Sequence, residues 1–252
     1  MKISVITAVR NNRDTIAAAL DSVLAQTHSD IELVVIDGNS TDGTREVLAH
    51  YAKRLAVLVS EPDSGIYDAL NKGIAHATGD VIGFLHADDL LADPGALAAI
   101  AAGFAETGAD GVYGDLLYVR KQDPDSVIRN WRSCAYKPEL LQQGWMPAHP
   151  TLYLRRAVYE QYGCFDTSFR IAADYDFMLR ILKPNVLVMH YLPQVLVKMR
   201  LGGASNRSLR NLLRKSREDL QALRMNFVGG WWTLIRKNLS KIPQYLHGAG
   251  RN

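Results

Sequence analysis

Short apolar runs alternate with amphipathic segments from the N-terminus to Phe104. The apolar runs are rich in β-branched residues, which favours strands, whereas the intervening segments place apolar residues at helical spacing. The predicted strands are Lys2–Val9, Ile31–Ile36, Leu55–Val59 and Val81–Leu85. The predicted helices are Thr15–Ala25, Asp42–Tyr51, Ile66–Ala77 and Pro94–Phe104. This alternation predicts an α/β fold, in which helices cover both faces of a mostly parallel sheet.

The pattern after Phe104 is less regular. Strands are predicted at Gly111–Arg120, Val127–Trp131, Thr151–Leu154 and Val186–Lys198, the first two as a pair. Helices are predicted at Arg156–Tyr162 and Ala172–Leu182, and a loop at Ser133–Met146. The Gly202-Gly203 pair predicts a hinge, and a basic helical tail is expected to follow from about Leu209.

Charge is distributed unevenly along the chain. From Lys198 to Asn252 there are 12 Lys and Arg residues against 2 acids, whereas the remaining residues carry 17 against 24. An acidic body with a basic tail indicates an anionic partner for the tail, either a membrane surface or a nucleic acid. No nucleic-acid-binding motif is present, and the tail arginines are interleaved with leucines, so we expect no nucleic acid partner.

The tail also carries apolar anchors. Leucines at positions 209, 212, 213, 220 and 223 fall near one helical face, and Trp231-Trp232 follow. A basic helix with such anchors is typical of an anionic membrane interface. The alternative is that the helix docks on the acidic body.

Cysteine content and hydropathy exclude several classes of protein. Cys134 and Cys164 have no CxxC spacing, so we expect two free thiols in a reducing compartment. No apolar run approaches the ~20 residues needed to span a bilayer. Met1–Val9 is interpreted as a buried strand and not as a signal peptide. We therefore expect a cytoplasmic protein that is soluble or peripheral to a membrane.

Polar residues follow each of the four predicted N-terminal strands. These segments are Thr7-Ala8-Val9-Arg10, Asp37-Gly38-Asn39-Ser40, Glu61-Pro62-Asp63 and His86-Ala87-Asp88-Asp89. The carboxyl ends of parallel strands meet at one edge of a sheet, which is where ligands bind in such folds. The sequence therefore predicts a site rich in carboxylates at this edge.

The adjacent carboxylates of Asp88 and Asp89 repel each other unless a cation lies between them or they face different ways. Mg²⁺ and Mn²⁺ prefer oxygen ligands, and often bind through one or two carboxylates together with substrate phosphates. Both residues are therefore candidate ligands of a metal bound to a diphosphate. The alternative is a turn and helix cap before Pro94.

Four segments, in this order, resemble the family 2 glycosyltransferases. They are Ile3–Asn12, the segment around Asp37, Phe84–Asp89 and Ala172–Arg180. The resemblance covers roughly residues 1–200 and implies the GT-A fold, a Rossmann-like α/β architecture. It implies a GT-A domain at 1–200, with a nucleotide-sugar-binding half (1–120) and an acceptor half (121–200), followed by a basic helical tail at 201–252.

The resemblance also implies roles for individual residues. Thr7, Val9, Asp37 and Ala87 would contact the nucleotide, with Asp37 reading the base. Asp88 would bind Mn²⁺ or Mg²⁺ on the diphosphate. Asp174 would be the general base, a role that suits the poor nucleophilicity of an acceptor hydroxyl.

Three positions depart from the family pattern. His86 stands where an acid is common, Ala173 replaces the first acid of the pair before Asp174, and Leu70 replaces a frequent arginine. Asp176 is therefore a reserve candidate for the base, and Lys72 is a candidate for the missing positive charge.

Several further polar and aromatic residues have two interpretations. Asp63, Asp68 and Asn71 either line the donor pocket or are ordinary polar groups of a helix. His149, in a loop between prolines, either contacts substrate or is structural. Trp131 and Trp145 either stack on sugar rings or belong to the core.

The function predicted from these features is transfer of a sugar from a nucleotide sugar, most often a UDP-sugar, with inversion. The expected acceptor is a glycan hydroxyl carried on a polyprenyl diphosphate at the inner face of the plasma membrane, in bacterial surface polysaccharide synthesis. A catalytically inactive recruiting module and a nucleotidyltransferase are the alternatives, and homo-oligomer formation stays open. No GxGxxG follows the first strand, which excludes a nicotinamide dehydrogenase.

Overall fold

The predicted order of strands and helices is present in the structure, with bounds shifted by a few residues. A computed structural model describes residues 1–201 and 209–240. The strands are β1 (Ile3–Val9), β2 (Ile31–Asp37), β3 (Val57–Ser60), β4 (Val81–Phe84), β5 (Leu90–Leu91), β6 (Gly111–Val119), β7 (Val127–Trp131), β8 (Tyr153–Arg155) and β9 (Met189–Arg200). The helices are α1 (Arg13–Leu24), α2 (Thr44–Tyr51), α3 (Ile66–His76), α4 (Ala96–Thr107), α5 (Glu139–Gln142), α6 (Arg156–Tyr162), α7 (Ala173–Leu182), α8 (Leu209–Met225) and α9 (Trp231–Leu239). Short 3-10 helices lie at Ala52–Arg54 and His149–Thr151.

One sheet runs through the molecule in the order β3-β2-β1-β4-β8-β6-β9-β5, and β7 pairs with β6. The first four strands of this order are parallel, β8 is antiparallel to β4 and β6, and β9 is parallel to β6. Residues of β1 and β2 are buried almost throughout, as expected for strands covered on both faces. The predicted pairing of β6 with β7 is confirmed.

Two apolar cores lie on opposite faces of the sheet. One contains Ile6, Val34 and Phe84 with residues of α3 and α7, and the other contains Val5 and Leu33 with residues of α1 and α4. Side chains of a strand alternate between the two faces, so consecutive residues of β1 enter different cores. The prediction of helices on both faces is therefore confirmed.

Local chemistry sets several helix bounds. The Asp42 carboxylate accepts a hydrogen bond from the Thr44 N–H at 3.0 Å, where α2 begins. Helix α4 ends at Thr107. The next residue, Gly108, has a positive φ of 65°, a conformation that favours glycine after a helix. The predicted loop at Ser133–Met146 contains the short helix α5, so its description as loop was incomplete.

The two tail helices pack against the body through their apolar residues. Leu220 and Leu223 of α8 and Leu234 of α9 are buried, whereas Leu212 and Leu213, about two turns earlier in α8, are exposed. The leucines that the sequence placed on one face are thus divided between the protein interior and the surface. The side chain of Leu209 lies outside the described residues, as do the predicted hinge at Gly202-Gly203 and residues 241–252.

Across the described ranges 1–201 and 209–240, no helix has the length and apolar character required to span a membrane.

Candidate active site

The carboxyl ends of the parallel strands are aligned by strand register. Val9 of β1 pairs with Asp37 of β2, and Asp37 pairs with Ser60 of β3. The Leu85 N–H donates to the Ile6 carbonyl at 3.0 Å, so the chain after β4 continues along β1 before reaching His86. The predicted gathering of polar residues at this edge is therefore present.

Asp37 is fully buried at this edge. Its carboxylate accepts hydrogen bonds from the Ser40 hydroxyl and N–H and, at 2.6 Å, from the Ser60 hydroxyl. A side chain at Gly38 would collide with the Asp63 carboxylate, which itself accepts from the Gly65 N–H at 2.9 Å. Glycine therefore allows β2 and the loop after β3 to approach closely beside Asp37.

Thr7, Val9 and Ala87 are buried beneath the same edge. The Thr7 hydroxyl has no hydrogen-bond partner, although it is inaccessible to solvent. The Ala87 carbonyl accepts from the Thr15 hydroxyl at 3.0 Å, which fixes the loop after β4 against α1. These residues thus shape the floor of the site, and only Thr7 presents an unused polar group.

The neighbouring carboxylates of Asp88 and Asp89 have different surroundings. Asp88 is partly exposed, whereas Asp89 is fully buried and accepts from the Arg200 N–H at 3.1 Å. Burial raises the pKa of Asp89 well above its ordinary value, and the adjacent Asp88 raises it further. Asp89 therefore joins the β5 region to β9, and Asp88 is the carboxylate accessible to a ligand.

Asp174 lies in the first turn of α7 and is partly exposed. The Tyr67 hydroxyl lies 3.0 Å from its Oδ1 and 2.7 Å from the Ile171 carbonyl oxygen. By contrast, Asp176 is buried, pairs with Arg180 at 3.2 Å and accepts from the Asn226 amide at 2.7 Å. Of the two acids in this turn, Asp174 is the one available to act on a substrate.

Two histidines lie between the metal-ligand candidate and the base candidate. The rings of His86 and His149 are 6.0 Å apart, and His149 stacks on Phe84 at 5.4 Å. Burial lowers the pKa of His86, and the carboxylates of Asp88 and Asp174 partly oppose this. His149 also packs on Phe165, and Phe165 packs on Tyr67, whose hydroxyl lies 3.0 Å from Asp174, so one aromatic cluster joins the loop after β4 to the first turn of α7.

His149 itself is buried, and its Nε2 has no hydrogen-bond partner. Burial lowers its pKa to about 4, with a smaller lowering contribution from His86 and an opposing one from Asp174. The imidazole is accordingly neutral at physiological pH, and its Nε2 is enclosed by protein atoms.

Other candidates have protein partners. The Asn71 amide makes two hydrogen bonds to the Phe165 backbone, donating to its carbonyl at 2.8 Å and accepting from its N–H at 3.0 Å. Lys72 pairs with Glu61 at 2.7 Å, and Asp68 accepts from the Ser64 N–H at 2.9 Å. These contacts explain the three residues without a bound donor.

The two tryptophans singled out in the sequence stack on protein aromatics. Trp131 lies parallel to the Tyr118 ring at 6.5 Å, and Trp145 stacks on Tyr136 at 5.8 Å. Both are only partly buried, so part of each ring remains accessible.

Sequence reasoning missed Tyr67 and Glu218 as neighbours of Asp174. Tyr67 lies within the glycine-bounded segment Gly65–Gly73, in which the sequence candidates were Asp68, Asn71 and Lys72. Glu218 sits in a basic helix about 44 residues after Asp174, and nothing in the local pattern separates it from a solvated helical residue.

The fold is an α/β fold whose mostly parallel sheet carries acids at its carboxyl edge, and comparison with known proteins identifies the family. The sequence profile of "Glycosyl transferase family 2" matches residues 4–172. The chain belongs to this family, as the resemblance of its four motifs predicted.

Curated relatives agree with this assignment. A "PGL/p-HBAD biosynthesis glycosyltransferase" of Mycobacterium bovis is 33% identical over 208 residues, which cover 81% of this chain and 78% of the relative. An uncharacterized glycosyltransferase of Mycobacterium tuberculosis is 34% identical over 179 residues, covering 71% and 68% of the two chains.

Solved structures show the same fold at low sequence identity. S. aureus TarS 1-349 has a TM-score of 0.70 at 21% identity, with 90% of this chain and 65% of that chain covered, so this chain spans about two thirds of that structure. Mannosyltransferase PcManGT from Pyrobaculum calidifontis, in complex with GDP-Man and Mn²⁺, has a TM-score of 0.66 at 20% identity, with coverages of 99% and 76%. The predicted GT-A fold is confirmed.

Proposed function

We propose that this protein is an inverting, metal-dependent glycosyltransferase that moves a sugar from a nucleoside diphosphate sugar to the hydroxyl of a glycan acceptor. The observation that carries the proposal is the cluster at the carboxyl edge of the sheet, in which His86 lies 6.0 Å from His149 and His149 packs on Phe165. Phe165 packs in turn on Tyr67, whose hydroxyl lies 3.0 Å from Asp174. The family supports transfer of a sugar in glycan synthesis. The finer assignments rest on the site residues.

The donor site in this proposal is the edge formed by β1, β2 and the loop after β4. Asp37, held by Ser40 and Ser60, faces the base, while Thr7, Val9 and Ala87 form the floor. The bound donor in a TarS complex is UDP-GlcNAc, and that in PcManGT is GDP-Man. UDP- and GDP-sugars are therefore the two donor classes to test.

Asp174 is the proposed general base. Its carboxylate takes the proton of the acceptor hydroxyl as the oxygen attacks the anomeric carbon, on the face opposite the leaving diphosphate. One such displacement inverts the anomeric centre. His149 stacks on Phe84 in its neutral form and shapes the site beside His86.

Asp88 is the proposed ligand of Mn²⁺ or Mg²⁺. Among the residues that the structure describes, no cluster of three His, Cys, Asp or Glu side chains could hold a metal ion. A single accessible carboxylate fits the way Mg²⁺ binds at sites where substrate phosphates supply further oxygens. A bound cation would offset the charge that develops on the departing diphosphate.

The donor assignment is tested by calorimetric titration of UDP and GDP with Mn²⁺ and with EDTA. We expect one nucleotide to bind only with metal, and Asp88→Ala to lose that binding. Asp30→Ala serves as the control, because Asp30 is exposed just before β2, at the opposite edge of the sheet from the proposed donor site. Equal nucleotide affinity in wild type and Asp88→Ala would contradict the metal assignment.

We also propose that the exposed side of α8 and α9 rests on an anionic membrane surface, where a polyprenyl-diphosphate-linked acceptor would be presented. Large apolar side chains are exposed there, among them Trp232 at 78% and Phe227 at 84%. Exposed arginines surround them at positions 210, 217, 224 and 236. Aromatic anchors with basic neighbours are the composition of peripheral membrane helices, and such binding would place the enzyme at the inner face of the plasma membrane.

Vesicle sedimentation tests the membrane proposal. We expect binding to vesicles of phosphatidylcholine with phosphatidylglycerol, weakened by salt and by the double change Trp231→Ala/Trp232→Ala. Val186→Ala removes an exposed apolar group outside the tail and serves as the control. Absence of binding to anionic vesicles, or binding that is as strong to pure phosphatidylcholine, would contradict the proposal.

The domain division also remains a proposal. We assign residues 1–200 to the GT-A domain, with the donor half at 1–120 and the acceptor half at 121–200, and residues 201–252 to the tail. The burial of Leu220, Leu223 and Leu234 indicates that the described part of the tail folds onto the acceptor half.

A further inference from the structure

Both backbone polar groups of Ile171, three residues before the proposed base, are hydrogen-bonded. The Ile171 N–H donates to the Glu218 carboxylate at 2.7 Å, and the Ile171 carbonyl lies 2.7 Å from the Tyr67 hydroxyl. Tyr67 belongs to α3 in the donor half, whereas Glu218 belongs to α8 in the tail. Helices α3 and α8, which are far apart in the sequence, thus both contact Ile171.

The Glu218 carboxylate accepts hydrogen bonds from three consecutive backbone N–H groups. The same carboxylate oxygen, Oε2, also accepts from the N–H groups of Arg170 and Ala172, each at 3.1 Å. These donors directly precede α7, where unpaired N–H groups favour a negative charge. Glu218, a residue of the tail, therefore holds the backbone directly before the helix that carries Asp174.

The Tyr67 hydroxyl contacts the Asp174 side chain as well as the Ile171 carbonyl. Its hydroxyl lies 3.0 Å from Asp174 Oδ1, and its ring packs on Phe165 at 5.5 Å. A phenol has one proton, so it donates to either Asp174 or Ile171 at a given moment. In both cases the hydroxyl restricts the movement of the carboxylate relative to α3.

We propose that Tyr67 and Glu218 are positioning residues that hold Asp174 in its reactive geometry, so that the C-terminal tail is part of the catalytic apparatus. The proposal rests on the assignment of Asp174 as the base. Small displacements of a reacting group can cost about a hundredfold in rate. Both residues are therefore expected to affect the chemical step more than the binding of the donor.

The test uses the full chain and Mn²⁺. Nucleotide release is measured with water as acceptor from UDP-glucose, UDP-N-acetylglucosamine and GDP-mannose, and the fastest donor is carried forward. We expect Glu218→Ala and Tyr67→Phe to lower kcat about tenfold or more, with the KM for the donor within about twofold of wild type. Glu218→Gln should recover most of the rate, because its amide oxygen still accepts from the three N–H groups.

Hydrogen exchange provides a readout that is independent of turnover. We expect faster exchange at the amides of residues 170–172 in Glu218→Ala and near wild-type exchange in Glu218→Gln. Gln221→Ala, exposed on the same helix, and Tyr162→Phe, which removes a hydroxyl elsewhere, are the matched controls.

The outcomes separate this proposal from the one on which it rests. If Asp174→Asn lowers kcat while Glu218→Ala and Tyr67→Phe do not, the positioning role is overturned and the base assignment stands. If Asp174→Asn turns over at the wild-type rate, the base assignment fails, whatever hydrogen exchange shows. An equal loss of kcat in Glu218→Gln and Glu218→Ala, with unchanged exchange at 170–172, would also overturn the positioning role.

Discussion

Asn71 and Lys72 are neighbours in α3, but their side chains meet different surroundings. Both polar ends of Asn71 are used by the Phe165 backbone, in the loop between α6 and α7. Lys72 makes its contacts at the surface, where water can replace them. The hydrogen bonds of Asn71 are therefore expected to contribute to stability, whereas the contacts of Lys72 are not.

Asn71→Ala should lower the free energy of unfolding by about 1–3 kcal/mol, because it leaves both backbone groups of Phe165 without their partner. Denaturant unfolding measures this loss, and nucleotide affinity should stay at the wild-type value. Lys72→Ala is the control and should unfold with the wild-type midpoint. A variant of Asn71 that is fully stable but no longer binds nucleotide would instead place this residue in the donor pocket.

The residues that could be predicted from sequence are polar residues that directly follow a predicted strand or helix. Asp88 follows a buried strand with no structural need for a carboxylate, and it is accessible in the structure. The separate environment of Asp89 was not predictable, because its partner is the backbone of Arg200, more than a hundred residues later. Glu218 was missed for the same reason, since its three partners belong to another element.

At the scale of elements, Glu32 ties three strands together at the amino edge of the sheet. Its carboxylate accepts from the Ser4 hydroxyl of β1 at 2.5 Å, from Thr78 before β4 at 2.6 Å, and pairs with Lys2 at 2.7 Å. Burial alone would raise the pKa of Glu32, but Lys2, Ser4 and Thr78 together lower it from 4.5 to about 2. Periodicity predicted β2 and could not reveal this link, because Glu32 is the one polar residue in the predicted run Ile31–Ile36.

This lowered pKa predicts that Glu32 stabilises the fold in a pH-dependent way. The folded pKa lies below the unfolded one, so the contribution is present above pH 4.5 and is lost as pH falls toward 2. The shift corresponds to about 3 kcal/mol, and since Lys2 is partly exposed we expect about 2 kcal/mol. Urea unfolding of wild type and Glu32→Gln between pH 7 and about pH 3 should show the difference shrinking as pH falls.

Glu160→Gln is the control for that measurement, because Glu160 is exposed and pairs only with Arg156 one turn away. Its stability should follow the wild-type curve at every pH. If the difference in the free energy of unfolding between Glu32→Gln and wild type is the same at every pH, folding does not lower the pKa of Glu32.

At the scale of the molecule, Glu218 joins the tail to the body, whereas Asp219 joins α8 to α9 within the tail. Glu218 and Asp219 are the only acids between Lys198 and Asn252, and both contact protein groups. Asp219 pairs with Lys237 of α9 at 2.8 Å, and each side chain is only 3% exposed. The charge count along the sequence shows a basic tail, but it could not show that both acids of the tail have protein partners.

The buried pair also joins the tail to the helix of the proposed base. The Lys237 ammonium lies 3.1 Å from the centre of the Tyr175 ring in α7, and the α9 backbone at Lys237 leaves no room for a side chain at Gly144. Removing one partner of a buried ion pair leaves an uncompensated charge, which typically costs about 3–5 kcal/mol. The docking of α8 and α9 is therefore expected to depend on both residues.

Asp219→Ala should destabilise the protein by about 3–5 kcal/mol, whereas the double change Asp219→Leu/Lys237→Met should destabilise it less, because no buried charge is left without a partner. Denaturant unfolding of Asp219→Leu, Lys237→Met and the double variant that combines them gives the coupling energy. Asn238→Ala, an exposed neighbour in α9, is the control. If the single and double variants unfold at the wild-type midpoint, the tail is held by its leucines alone. Charge at this contact would then have no part in holding α8 against the turn that carries Asp174.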